Sequence, residues 1–246
     1  MEFQIIHNRI GSDLWANTRL KILERIIKAE GKTILDLGCG KGYVGGVLAK
    51  NNKVVFAEID AEQIKDIKGM RVILDANYMP FKQESFDYAI CADVLEHIKD
   101  DRRVLLSIYH LLKDGGKAII ALPAYSRFYG HHDKLIHHYR RYDKKSFCEM
   151  ARSAGFRVKA VRYSCSLLFF PWLMNQFLVK SNKAYIGKSG LEIKIVPLLN
   201  FLAWLEASLK LPFGINLLAV LEKRKNLKSK NSCVLPHFKR GGSLEF

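Results

Sequence analysis

The sequence lacks the features that mark several classes of protein. Its five cysteines are an odd number, lie far apart and contain no C-x-x-C pair, which argues against a disulfide framework and a cysteine-based zinc site. The N-terminal segment has no basic start followed by a long apolar run, so we expect no secretory signal. No apolar run reaches the roughly 20 residues that a transmembrane helix requires. The simplest expectation is a protein of the reducing cytoplasm.

Acidic residues are also scarce. The 246-residue chain has 24 acidic and 40 basic residues, which gives a net charge of +16. This charge implies an anionic neighbour, either a nucleic acid or a phospholipid surface, although the lysine-rich composition of a heat-adapted or AT-rich organism produces the same charge without a partner. With 49% hydrophobic residues the chain can bury one good core, so we expect one domain with an elaboration.

The stretch Thr33–Gly46, TILDLGCGKGYVGG, is the feature around which the chain is organised. It begins with a short, partly β-branched apolar run typical of a strand, and the run Tyr43–Ala49 opens a helix. The glycines between them let the backbone approach a ligand where any Cβ would collide, and the free N–H groups of the helix face that ligand. The stretch therefore predicts the first strand and binding turn of a nucleotide-binding α/β domain.

Two kinds of ligand compete for this turn. The residues Gly40–Gly45 satisfy the dinucleotide pattern G-x-G-x-x-G, with an acid at the expected distance, Asp60. In a dinucleotide fold, however, the first glycine directly follows the strand, and the pattern fails when it is started from Gly38. A carboxylate at the end of the strand, Asp36, would repel a pyrophosphate and attract a cation. The turn therefore favours a cationic ligand.

The same stretch resembles a known family. Residues Asp36–Gly42 look like motif I, D/E-x-G-x-G-x-G, of the class I methyltransferases that depend on S-adenosylmethionine (SAM). Further landmarks of that family follow in order, at Val54–Asp60, Asp75–Phe81, Phe86–Ile98 and Leu111–Pro123. The resemblance covers roughly residues 15–164.

The resemblance implies that SAM is the cofactor and that ten residues bind it: Asp36, Gly38, Cys39, Gly40, Gly42, Glu58, Ile59, Asp75, Ala76 and Ala92. It implies that Glu58 binds the ribose hydroxyls, that Ile59 lies against the adenine and that Asp75 is the acid at the adenine edge.

Strand-like and helix-like runs alternate from residue 33 to residue 121, which predicts a parallel sheet with helices on both faces. Lys144–Ala154 is predicted as a helix and Arg157–Tyr163 as a sixth strand. The resemblance implies an antiparallel seventh strand, which we place at Asn216–Glu222. An amphipathic helix is predicted before the sheet, at Ala16–Glu30. The expected fold is a Rossmann-like α/β domain with a seven-stranded, mostly parallel sheet, an antiparallel last strand and a helical insertion before that strand.

This domain is expected to span residues 1–225, with a basic flexible tail at 226–246. The insertion, residues 165–213, is rich in Leu, Phe and Trp. It could pack on the core, form a dimer surface or lie in the interface of a membrane, because tryptophans and lysines stand at its margins. The chain is expected to be a monomer or homodimer in the cytoplasm, with peripheral contact at the inner face of the membrane as the alternative.

Histidines, aromatics and arginines crowd together in Pro123–Asp143, which is not a core pattern. In class I methyltransferases this segment follows the strand beside the transferred methyl group, which implies a role in binding the acceptor. It resembles a segment of methyltransferases that accompany glycosyltransferases in polysaccharide and lipid-linked sugar pathways, with matches at His132, Asp133, His138, Arg140, Arg141 and Tyr142.

The histidines have three interpretations: metal ligands, a general base, or hydrogen-bonding groups that hold structure or substrate. We expect no metal site, since the paired histidines lack a matched third ligand. The predicted catalytic residues are His132, His138 and Tyr142, and the predicted substrate-binding residues are Tyr125, Arg140 and Arg141. Glu96 is interpreted as an acid at a helix N-terminus and His97 as a structural hydrogen-bonding group.

The sequence thus predicts methyl transfer from SAM to a small-molecule, sugar or lipid-linked saccharide acceptor, at oxygen. An RNA methyltransferase is the main alternative, although the residues after the fourth strand, CADVLEH, lack the N/D-P-P-Y/F motif that grips a flipped base, so nucleic acid is not the expected partner. A SAM-binding protein without activity is the other alternative.

Overall fold

A seven-stranded β-sheet forms the centre of the protein in a computed structural model. The structure describes residues 30–167 and 211–224, together with residues 23, 27, 169, 170, 173, 201, 204 and 205. The strands are β1 Thr33–Leu37, β2 Lys53–Glu58, β3 Met70–Ile73, β4 Phe86–Ala92, β5 Leu112–Pro123, β6 Phe156–Ser164 and β7 Asn216–Lys223. Each predicted strand is therefore present.

The order of the strands across the sheet is β3-β2-β1-β4-β5-β7-β6. Strand β7 runs antiparallel to both of its neighbours, β5 and β6, and the pairs among the first five strands are parallel. The chain moves outward from β1 to β3 and then returns to place β4 on the other side of β1. In such sheets ligands bind beyond the carboxyl ends of the strands where the order reverses, which is between β1 and β4.

Short helices connect the strands. They are α1 Tyr43–Leu48, α2 Ala61–Ile64, α3 Asp101–Leu111, α4 His131–Leu135 and α5 Lys144–Ser153, with 3₁₀ turns at Leu95–His97 and Ser126–Phe128. The predicted helix directly after β4 is instead a 3₁₀ turn, and helix α3 begins only after Asp100, whose side chain accepts a hydrogen bond from the N–H of Arg103 at 3.2 Å. Glu96 and His97 are therefore held in a tight turn, away from the α-helix.

The start of β5 is irregular. The strand extends back to Leu112, which pairs with Phe86, and the register between β4 and β5 shifts before Tyr88. Gly115, with φ 76°, and Gly116 lie within this irregularity. A Cβ at Gly116 would lie 2.8 Å from the backbone oxygen of Lys113, so the strand bends where only glycine fits.

Hydrophobic cores cover both faces of the sheet. On β1, Leu35 and Leu37 belong to one cluster and Ile34 to the other, because successive side chains of a strand point to opposite faces. Helices α3 and α5 cover the first face. Leu23 and Ile27 pack on the second, and the N–H of Ile27 donates to the carbonyl of Leu23 at 2.8 Å. The prediction of helices on both faces is confirmed.

Other predictions fall on parts of the chain that the structure does not describe. These are most of the helix at 16–30, most of the insertion at 165–213 and the tail at 226–246, which lie outside the described residues. Among the helices that the structure does describe, none has the length and apolar character needed to cross a bilayer.

Two adjacent leucines on α3 test this packing. Leu105 is 0% exposed and Leu106 is 43% exposed. Leu105→Ala should lower the free energy of unfolding by about 3 kcal/mol, because it leaves a cavity in the core. Leu106→Ala should lower it by less than about 1 kcal/mol. Equilibrium unfolding in urea measures both values, and equal losses would contradict the packing of α3 on the sheet.

Candidate functional site

The turn after β1 is a tight loop of glycines. Gly38, Gly40 and Gly42 have φ values of 66°, 53° and 70°, a left-handed conformation that other residues rarely adopt. A Cβ at Gly38 would lie 2.2 Å from a methyl carbon of Val94 in the turn after β4. The loop is therefore held close to the end of the neighbouring strand, and the predicted approach of its backbone to a ligand stays a prediction.

Asp36 lies beneath this loop and is 3% exposed. Its Oδ2 accepts a hydrogen bond from the N–H of Gly45 at 3.0 Å, which places the carboxylate at the N-terminal end of α1. A Cβ at Gly45 would lie 2.6 Å from this oxygen and 2.6 Å from the ring of Phe56. Asp36 thus shapes the loop from below, and its predicted contact with a cofactor stays a prediction.

Glu58, the last residue of β2, holds the loop from the other side. Its Oε2 accepts from the N–H of Gly40 at 2.8 Å, and its Oε1 accepts from the N–H of Ile59 at 2.8 Å. The Ile59 side chain is 66% exposed, so an apolar surface beside this carboxylate is open to a flat ring. Burial, followed by the charges of Asp36 and Glu58, raises the pKa of the Cys39 thiol to about 12, so this thiol is not a nucleophile at neutral pH.

Asp75 and Ala76 follow β3. Oδ1 of Asp75 accepts from the backbone N–H and from the side-chain amide of Asn77, both at 2.8 Å. Ala92 ends β4, which pairs with β1 in parallel register. The fold therefore brings the predicted cofactor residues of four strands to one edge of the sheet, at the reversal of strand order.

A further segment of the chain crosses this edge of the sheet. Residues 124–142, here called the crossing segment, return along the end of β5, where Ala124 bridges Tyr142. The N–H of Tyr139 donates to the carbonyl of Glu96 at 2.7 Å, which ties the segment to the turn after β4. The crossing segment contains the residues that the sequence assigned to the acceptor.

Asp133 is the polar centre of the crossing segment and is 1% exposed. Its carboxylate accepts from Nε of Arg141 at 2.8 and 2.9 Å and from the N–H of Gly130 at 2.9 Å, and it lies 3.1 Å from Nδ1 of His138. Burial alone would raise the pKa of Asp133, but the hydrogen bonds from His138 and Arg141 and the charge of Arg141 outweigh it and lower the pKa to about 2. Asp133 is therefore ionised at neutral pH.

His138 is oriented by this carboxylate. Because an ionised carboxylate can only accept, Nδ1 of His138 carries a proton, and in the neutral imidazole Nε2 is then the acceptor. Nε2 lies 3.9 Å from Oε1 of Glu96, which is 1% exposed. The His97 ring meets the His138 ring edge-on at 4.6 Å. Glu96 and His97 thus lie beside a predicted catalytic histidine, which no local sequence signal indicated.

Tyr142 has a different environment from the predicted one. It is 6% exposed, and its hydroxyl donates to Oδ2 of Asp101 at 2.8 Å. Burial, followed by the charge of Asp101, raises the pKa of Tyr142 far above its usual value. A buried hydroxyl already engaged by a carboxylate argues against the direct catalytic contact predicted for Tyr142.

The two predicted substrate-binding arginines are also engaged within the protein. Arg140 lies 3.1 Å from Oδ1 of Asp101 and donates to the carbonyl of Lys99 at 2.8 Å. Arg141 is 7% exposed and paired with Asp133. These contacts indicate that the two arginines position other residues, and they argue against direct binding of a phosphate by either arginine.

His132 and Tyr125 have different surroundings in the crossing segment, and Tyr125 packs against the core. His132 is exposed on α4. Tyr125 has φ 63°, stacks on Tyr163 with ring centroids 5.2 Å apart, and accepts from the N–H of Gly214 at 3.4 Å through its hydroxyl. The contacts with Tyr163 and Gly214 were not predicted, because both residues lie far along the chain from Tyr125.

Residues 7–161 match a family model described as a methyltransferase domain. The chain is 30% identical over 156 residues to phosphoethanolamine N-methyltransferase 2 of Caenorhabditis elegans, which covers 56% of this chain and 35% of that protein. It is 32% identical over 109 residues to the ubiquinone biosynthesis O-methyltransferase of Coxiella burnetii, which covers 40% of this chain and 47% of that protein. The chain therefore spans less than half the length of these curated relatives.

Solved structures share the fold at low identity. A putative methyltransferase from Bacillus halodurans has a TM-score of 0.61 at 20% identity, covering 87% of this chain and 100% of that one. The phosphoethanolamine N-methyltransferase 2 of Haemonchus contortus, solved in complex with S-adenosyl-L-methionine, has a TM-score of 0.60 at 19% identity, covering 92% of this chain and 60% of that one. The seven-stranded, Rossmann-like fold is thus that of class I methyltransferases.

The charge of Asp133 can be tested through stability. Asp133→Asn should lower the free energy of unfolding at pH 7 by on the order of 3 kcal/mol, because Arg141 then keeps an uncompensated buried charge. The pKa of Asp133 is lower in the folded state than its ordinary value of 3.8, so its stabilisation is present above about pH 4 and is lost as the pH falls towards 2. Urea unfolding at several pH values measures this loss.

The exposed Asp66→Asn is the matched control and should change stability by less than about 0.5 kcal/mol at every pH. A deficit of Asp133→Asn that stays the same from pH 7 to pH 2 would show that the ionised carboxylate is not the source of the stabilisation.

Proposed function

The chain belongs to the methyltransferase domain family, and we propose that it transfers a methyl group from SAM to a hydroxyl oxygen of a small-molecule, sugar or lipid-linked saccharide acceptor. One observation carries the proposal. The carboxylates that hold the glycine loop and the imidazole that Asp133 orients belong to segments at the carboxyl ends of the parallel strands, where parallel α/β folds bind their ligands.

The residues at the strand ends fit SAM as the methyl donor. The chemistry of the donor set is acidic, from Asp36, Glu58 and Asp75, and suits a ligand that carries an ammonium group, ribose hydroxyls and an exocyclic amine. The exposed apolar side chain of Ile59 provides a surface for the adenine. When bound, SAM supplies an electrophilic methyl group on a sulfonium.

The main contribution of the protein to the reaction is to position the donor and the acceptor. Holding donor and acceptor in one geometry can supply much of the rate enhancement of a transfer between two bound molecules. The crossing segment is tied to the elements that follow β4 by the hydrogen bond between Tyr139 and Glu96 and by the contacts of Arg140 and Tyr142 with Asp101, so it forms a fixed wall for the acceptor.

An oxygen acceptor must lose its proton as the methyl group arrives. His138 is the residue we assign to this step, in preference to His132, because Asp133 fixes its protonated Nδ1 and leaves Nε2 able to accept. Asp133 and Arg141 act as positioning residues. Tyr125, on the same segment, is assigned to the acceptor side.

The acceptor class is supported by two observations. The crossing segment resembles that of methyltransferases associated with lipid-linked sugar pathways, and the C. burnetii relative is named an O-methyltransferase. The C. elegans relative is named a phosphoethanolamine N-methyltransferase, so methyl transfer to an amine is the second candidate. A nitrogen acceptor would keep the same donor residues and would not depend in the same way on His138.

The test is incubation of the protein with methyl-labelled SAM and an extract of its source organism, followed by separation of lipid, water-soluble, RNA and protein fractions. Label in lipid or water-soluble molecules, on an oxygen identified by mass spectrometry, is the expected result. Label on nitrogen would select the second candidate. Label in RNA, or none in any fraction despite donor binding, would overturn the proposal in favour of an RNA methyltransferase or an inactive SAM-binding protein.

Adjacent glycines in α1 provide a matched test of the donor site. Gly45→Ala should weaken binding of S-adenosylhomocysteine by roughly tenfold, or about 1.4 kcal/mol, because its Cβ would push against Asp36 and Phe56. At Gly46 nothing lies within 4 Å of a new Cβ, so Gly46→Ala should leave the affinity unchanged. Isothermal titration calorimetry measures both, and unchanged binding in Gly45→Ala would contradict the assigned site.

A further inference from the structure

Three side chains capable of binding a metal converge beside the crossing segment. They are Glu96 and His97, from the turn after β4, and His138, which follows α4. One ligand atom from each lies within 4.8 Å of the other two. We propose that Glu96, His97 and His138 bind a divalent transition-metal ion. This inference goes beyond the proposed function, because it does not depend on the acceptor.

The ligand types select the class of ion. Two imidazoles and one carboxylate form the protein ligands of many zinc enzymes and of the non-haem iron facial triad, and both sites keep an open coordination position. Mg²⁺ and Ca²⁺ prefer sites made of oxygen atoms alone. Zn²⁺, Co²⁺ and Fe²⁺ are therefore the ions expected here.

The surroundings of His138 favour a ligand role. Metal-bound histidines usually donate their other ring N–H to a carboxylate, which fixes the tautomer and the direction of the ring. Asp133 provides this contact at 3.1 Å from Nδ1, and Nε2 lies 3.9 Å from Glu96. Asp133 is held in turn by Arg141 and by the N–H of Gly130, so the supporting hydrogen bonds extend beyond the ligands.

The backbone also joins the two halves of the site. The N–H of Tyr139, next to His138, donates to the carbonyl of Glu96 at 2.7 Å. Glu96 is 1% exposed, and the side chain of His138 is 9% exposed. The spacing of these two ligands is thus built into the fold, whereas His97 is exposed at the rim.

The distances between the three ligand atoms show how far these atoms would move when an ion binds. Ligand atoms at about 2.0–2.2 Å from an ion lie roughly 3.5 Å from one another in a tetrahedral site, so the atoms must approach by roughly 1 Å. His97 is the exposed member of the three, so it has the most room for this movement. His97 is therefore the ligand that closes the site on an ion held by the two buried side chains.

The proposal gives Nε2 of His138 a second use besides accepting a proton. A bound ion would occupy that nitrogen, so His138 would not be the base in the metal-bound protein; the ion would instead lower the pKa of an acceptor hydroxyl as a Lewis acid, and the proton would pass to solvent. The two uses are separable by experiment, because only the metal requires Glu96 and His97.

The test uses the full chain, treated with EDTA, dialysed and then titrated with Co²⁺ and Zn²⁺ in the absence of SAM. We expect one Co²⁺ per chain by mass spectrometry, a visible absorption band typical of low coordination number, and displacement of Co²⁺ by Zn²⁺. His97→Gln should weaken binding by at least roughly tenfold, and Glu96→Gln and His138→Gln by more. His110→Gln, an exposed histidine on α3, is the matched control and should bind as the wild type does.

Several results would overturn the proposal. These are no Co²⁺ binding by the wild type, binding that is unchanged in His97→Gln, or binding that disappears only in a His131→Gln/His132→Gln double variant, which would indicate adventitious binding by surface histidines. Because His97 is exposed, its variant should fold normally, and far-UV circular dichroism checks this. Calorimetry with S-adenosylhomocysteine tests the donor site separately, so failure of the metal site and failure of the proposed function are distinguishable.

Discussion

The buried ion pair between Asp133 and Arg141 is the interaction on which the site depends. A buried pair stabilises a fold only when further hydrogen bonds satisfy both groups, and removal of one partner leaves a costly charge. Here Gly130 and His138 complete the environment of the carboxylate. The pair joins α4 to the end of the crossing segment, and the same carboxylate contacts His138, so one ionised side chain determines both the position and the tautomer of the imidazole.

On the donor side of the site, carboxylates also hold the structure in place, but the groups that they bind are backbone N–H groups. Asp36 receives the N–H of Gly45 from below the glycine loop, and Glu58 receives the N–H of Gly40 from its other side. Both carboxylates therefore shape the loop through its own peptide groups.

Charge is distributed unevenly between the interior and the surface. The chain carries +16 overall, yet Asp36, Glu96, Asp101 and Asp133 are among its buried residues. Some of its few acidic residues are thus buried, where they contact the glycine loop, the turn after β4 and the crossing segment. Two arginines of that segment are engaged with Asp101 and Asp133, so a net positive charge in the sequence does not translate directly into basic groups offered to a substrate.

Local patterns in the sequence determined the strands and the glycine loop, because hydrophobic periodicity and glycine spacing depend on neighbours along the chain. The antiparallel direction of β7 came from the resemblance to a known family. Only the tertiary structure decided the roles of polar side chains. It buried Tyr142 against Asp101, and it brought Glu96 and His97 to His138, since the parallel crossover places the turn after β4 beside the segment that follows β5. Pairing of charged and aromatic groups across such distances leaves no periodic signal, so the fold was predictable and the geometry of the site was not.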